Sequence, residues 1–175
     1  MQTSNHAQTT QSKIALNSLL LFVLLSSVAS RADDAAGNGA ILVPFEAEER
    51  LAPTGPPERV WVSDDGIQHT RNAPVAGIVW GDINGTITIL GNRNLDLATG
   101  HGTAHAEAVV DVEWNGLTGT FEGRSQWKLE AFRIVDGQFI GHGTGDFEGM
   151  LMQAHFFNDS GRVPFTGTIL IPGGH

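Results

Sequence analysis

The chain of 175 residues contains no cysteine and no tyrosine. Without cysteine there are no disulfides, thiolate metal sites, Cys nucleophiles or lipid-modified Cys. Basic residues are scarce: 10 Lys and Arg stand against 19 Asp and Glu, giving a formal net charge of −9. Phosphate recognition needs a cationic patch, so nucleic acid is excluded as a partner. No Lys/Arg cluster favours an anionic membrane surface either. Long apolar runs are also missing. The longest, Ile14 to Leu25, is shorter than the roughly 20 residues of a membrane-spanning helix.

That apolar run has the form of an export signal. Lys13 precedes it, and small residues follow from Ser26 to Ala32, with cleavage expected after Ser30 or Ala32. The alternative is an uncleaved anchor. Residues 1–32 are therefore expected to be a signal peptide on a secreted or periplasmic protein, with no stable membrane insertion after cleavage. From Asp33 to Glu58 the composition turns to Ala, Gly, Pro and Glu, with Glu46, Glu48 and Glu49 close together, which reads as a linker or loosely docked arm. A single domain is expected over residues 59–175.

Glycine is abundant instead: 18 of the 22 lie from Gly77 onward, without a collagen period. They punctuate runs that alternate as strands do. His101 to Trp114 is the clearest, with Ala104, Ala106, Ala108, Val110, Val112 and Trp114 on one face and mostly polar residues on the other. Turns are expected at Asp64-Asp65-Gly66, Asn84-Gly85, Gly91 to Asn94, Asn115-Gly116, Asp136-Gly137 and Asn158 to Gly161. Gly119-Thr120-Phe121-Glu122-Gly123 recurs as Gly145-Asp146-Phe147-Glu148-Gly149, and each copy is expected to start a long strand. Only Ser125 to Phe132 could pass for a short helix. The pattern predicts an all-β fold: one antiparallel barrel of about eight strands, closed so that no edge is left exposed.

The run Gly143 to Gly149, with the alternating segment after it, resembles the late strand of the allene oxide cyclase and dirigent-type barrels, which a G-x-G-x-F-x-G stretch opens. Gly91-Asn92-Arg93-Asn94 is similar to a G-R-N turn of the same families. The chain also resembles small exported bacterial proteins of unassigned function that carry the Gly141 to Gly149 run. The likeness spans roughly Val75 to Ile171. It implies an apolar ligand in the lumen and, for the cyclases, a few polar groups that steer a reactive intermediate. No position matches the cyclases' catalytic Glu or Asn.

Three groups of residues are candidates for chemistry. His101, His105 and Glu107 share one strand face; the two imidazoles, four residues apart, stand about 13 Å from each other, too far for one metal, whereas His105 and Glu107 are about 6.6 Å apart. The apolar opposite face points this one toward solvent, so no metal is expected, with His105 and Glu107 the candidates if one binds. His142 sits in a Gly-rich stretch that lacks the Lys-Ser/Thr and helix of a P-loop. Glu122 and Glu148 hold matching places in the repeat, where paired carboxylates could split their pKa values for acid/base work. Exposed strand Glu is the commoner outcome.

Phe121, Trp127, Phe147, Met150 and Met152 are the candidate ligand-binding residues. The expected function is binding of a small apolar or amphipathic molecule in the lumen, without catalysis or cofactor. The alternatives are a cofactor-independent cyclase or isomerase using a luminal carboxylate or His, with Glu122, Glu148 and His142 as catalytic candidates, and a structural barrel with a packed interior. A homo-oligomer is compatible with the sequence.

Overall fold

A computed structural model describes residues 39–158 and 162–173. The expected signal peptide, the first residues of the expected linker and most of the Asn158–Gly161 turn lie outside the described residues. Among the described residues nine strands follow one another: β1 (Ile41–Pro53), β2 (Arg59–Val62), β3 (Ile67–Gly81), β4 (Asn84–Asp96), β5 (Gly102–Trp114), β6 (Leu117–Glu130), β7 (Arg133–Gly143), β8 (Leu151–Phe156) and β9 (Val163–Ile171). A single 3₁₀ turn, Gly145–Phe147, separates β7 from β8.

All pairings are antiparallel, in the order β1-β9-β8-β7-β6-β5-β4-β3, and β1 then pairs with β3 to close an eight-stranded barrel. The ninth strand, β2, pairs with the first half of β3 outside that ring. One edge of β3 is thus shared between two partners: β2 covers Gln68–Arg71 and β1 covers Val75–Gly81. A bulge between Thr70 and Ala73 lies between the two stretches, and Asn72 adopts φ 50° there. The extra residue bends the strand and lets it change partner.

The all-β barrel follows the sequence expectation, but the arm does not. Residues 41–53 form β1, a full wall of the barrel, so the described domain includes residues well before Arg59. Phe45, Ala47 and Glu49 point inward and are buried, while Glu46 and Arg50 are exposed. The acidic cluster disguised this alternation because one of its members faces the lumen.

Other local expectations shift as well. Ser125 to Phe132 is strand up to Glu130, without helix. Asn84-Gly85 and Gly91–Asn94 lie within β4, and Asp136-Gly137 lies within β7. The β6–β7 turn instead uses Ala131 (φ 47°) and Phe132 (φ 66°). Two left-handed residues in succession make the turn that matches strand twist, though neither is the usual Asn or Gly. Asn115-Gly116 has the same conformation (φ 52° and 79°) and does turn as expected.

The glycine-rich repeat is asymmetric. Its first copy lies inside β6, and its second is the 3₁₀ turn before β8 rather than a strand start. That turn carries Phe147 into the barrel end, where its ring stacks on Phe121 at 4.9 Å and meets Trp114 at 6.4 Å. A Cβ on Gly143 would come within 2.0 Å of the Phe147 carbonyl oxygen, and one on Gly119 within 2.2 Å of the Thr144 oxygen. The glycines are there because the turn crosses directly over them. With Ile83, Met152 and Ile169, all fully buried, Phe147 packs one end of the barrel solid.

Candidate functional site

The other end of the barrel is hollow. A cavity of about 590 Å³ runs from Val110, Phe139 and Phe165 in mid-barrel to a mouth formed by Pro57, Val60, Phe132 and Asn158. It stays open because the inward positions at this end are small or short: Ala73 on β3, Gly91 on β4, Ala108 on β5 and Ser125 on β6. Aromatic rings line the far wall. Trp127 meets Phe156 edge-on at 6.2 Å, and Phe139 lies 6.4 Å from Phe165. Phe132 sits at the rim, its N–H donating to the Gly100 oxygen at 3.0 Å.

Polar groups break the apolar lining: Glu49, Thr70, Arg93 and Ser125, together with Gln68, Asn92 and Asn158. Glu49 reaches in from β1 and is only 6% exposed. No Lys or Arg pairs with it among the described residues. Burial without a counter-charge disfavours the carboxylate and pushes its pKa from 4.5 up to about 7. Across β3 and β4, Thr70 and Arg93 are register partners that both line the cavity. The Thr70 hydroxyl and the Arg93 Nε are buried and have no hydrogen-bond partner among the described residues. The Arg93 Nη2 donates to Gln68 Oε1 at 3.1 Å, which fixes the guanidinium against β3. Ser125, from β6, donates its hydroxyl to the Gln138 oxygen at 3.2 Å and is already satisfied.

The candidates named from sequence fall elsewhere, except one. Trp127 lines the cavity. Phe121, Phe147 and Met152 are fully buried in the packed end, with Met150 half-buried against them. Glu122 and His142 are register partners on the outer faces of β6 and β7, both exposed. Glu148 is exposed in the segment after the 3₁₀ turn, and none of these three lines the cavity. His105 and Glu107 face outward from β5 into a shallow groove of about 630 Å³ shared with Arg124, Gln126 and Gln138. No cluster of three or more His, Asp or Glu that could hold a metal occurs among the described residues.

Glu49, Thr70 and Arg93 were not singled out in the sequence. Glu49 sat in an apparent linker. Arg93 stood in an apparent turn, where a positive charge needs no explanation. The signal that would have found Glu49 is the period of two from Val43 to Leu51, in which it holds an inward place.

No protein-family model matches the chain, and no curated protein is similar to it in sequence. Its fold is similar to the crystal structure of a protein of unknown function of the DUF3224 family from Shewanella oneidensis MR-1, with a TM-score of 0.58 and 12% identity. The similarity covers 78% of this chain and 100% of that one. At this identity the likeness is one of fold. The comparisons support the barrel and bring no support for placing the chain with the allene oxide cyclases or dirigent-type proteins.

Proposed function

We propose that this protein binds a small amphipathic molecule in the open end of its barrel. The observation that carries this reading is the half-filled lumen: one end is occupied by the fully buried Ile83, Phe121, Phe147, Met152 and Ile169, while the other holds about 590 Å³ of space with aromatic walls. Ligand sites are typically concave, mostly apolar, about 300–1,000 Å³ in volume, and furnished with a few polar groups. A barrel selected only for stability would fill such a void, because empty apolar volume costs free energy in proportion to its size. Export of the chain, as its first 32 residues suggest, would place the encounter outside the cytoplasm.

The test is to fill the cavity from within. Ala108 lines the lumen in mid-barrel, so Ala108→Phe places a ring in the space a ligand would use. An environment-sensitive amphiphilic dye should bind the native protein and lose at least about tenfold in affinity for this variant, with folding retained. Undiminished binding would count against the lumen.

Glu49 supports a second reading, in which the same lumen catalyses a proton-transfer isomerisation. A carboxyl with a pKa near 7 exchanges protons efficiently at neutral pH, and this one is inside the cavity. Turnover of an enolisable or epoxide-bearing amphiphile, lost in Glu49→Gln while binding persists, would favour the enzyme. Binding without turnover would favour the carrier.

A further inference from the structure

We infer that the lumen selects an anionic amphiphile, whose acidic head is received by Arg93 and Thr70. This rests on the lumen being a binding site and adds the chemistry of its occupant. Arg93 is a permanent cation in the cavity wall, and no carboxylate pairs with it among the described residues. Its Nε–H is buried and has no partner among the described residues, nor has the hydroxyl of Thr70 directly across the β3–β4 ladder. Thr70 is 6% exposed, so bulk water does not satisfy it.

Buried donors without partners are rare in folded proteins, and two of them on facing residues lining a cavity point to a missing acceptor. A carboxylate, sulfate or phosphate head supplies that acceptor and the counter-charge together. A neutral alcohol could accept one hydrogen bond but would leave the guanidinium uncompensated, and a cationic head would be repelled. Among the described residues Glu49 is the one other ionisable group lining the cavity, and its burial keeps it neutral in mildly acidic solution, so it does not oppose the anion there. The apolar tail then lies along Ile87, Ile89 and Trp127.

Calorimetric titration of the native protein in mildly acidic buffer with decanoate, decyl sulfate, decanol and decyltrimethylammonium tests this, the ionic probes held below their critical micelle concentrations and decanol below its solubility limit. The two anions are expected to bind roughly tenfold or more tightly than decanol, the order expected when a charged hydrogen bond is gained. The cation is expected not to bind. In Arg93→Gln the anion-over-alcohol ratio should collapse toward one, and Arg93→Lys should restore part of it. Should Arg93→Gln fail to fold, the native head-group series and Thr70→Val, expected to lower the same ratio, decide the matter. Decanol binding as tightly as decanoate would overturn anion selection while leaving the lumen site standing, as would a ratio unchanged in both variants. Binding of none of the probes would overturn the lumen reading itself.

Discussion

Thr70 and Arg93 face each other across β3 and β4, and each buries a hydrogen-bonding atom that has no partner among the described residues. The pair lies beside the bulge at which β3 exchanges β2 for β1 as its neighbour. Barrel closure and the polar patch of the lumen thus occupy one place.

Thr70→Val should make the empty protein more stable. The two side chains have nearly the same shape, and the substitution removes a hydroxyl desolvated without compensation, a cost of about 1–3 kcal/mol. Chemical denaturation should show a gain of roughly 1 kcal/mol. A loss of that size would mean that the hydroxyl is satisfied after all.

Glu49 should make stability depend on pH. Its carboxyl titrates near 4.5 when unfolded and near 7 when folded, so between these values the folded state holds the extra proton. Stability therefore falls as pH rises through that window, by about 3 kcal/mol in total. Glu49→Gln should flatten this slope and be the more stable protein above pH 7. Parallel pH profiles for the two proteins would contradict the burial argument.

Phe147→Ala should be among the most damaging single changes. The ring is fully buried against Phe121 and Trp114, and its loss opens a hole in the packed end, costing about 3–5 kcal/mol. Equilibrium unfolding in urea measures it, and a cost under 1 kcal/mol would show that the 3₁₀ turn is not a structural plug.

The strands with unbroken alternation were legible from sequence. In β5, six inward residues from Ala104 to Trp114 declared the barrel wall without ambiguity. What stayed hidden departed from the pattern for a reason. β1 carries Glu49 at an inward position, and an acidic residue there reads as surface until the cavity is known. The repeat around Phe121 and Phe147 signalled two equivalent strands, yet close approach of the backbones makes one copy a strand and the other a turn. The candidate site gathers residues from β1, β3, β4 and β6, so no local spacing could announce it.

The β6–β7 turn offers a gain. Ala131 holds φ 47°, a conformation that costs an ordinary residue roughly 1–2 kcal/mol and Asn less. Ala131→Asn should raise stability by about 0.5 kcal/mol, read as a higher urea midpoint at unchanged slope. A lower midpoint would show that Ala131 makes a contact that outweighs the strain.

The most direct test of a ligand-binding lumen is methyl-resolved NMR during titration with decanoate. The account predicts shifts at Leu51, Ile87, Ile89, Val110 and Leu129, which line the cavity, and little change at Ile83 and Ile169 in the packed end. Saturating decanoate with none of these methyls moving, or with changes confined to exposed methyls such as Ile78, Leu90 and Ile140 on the outer wall, would contradict it.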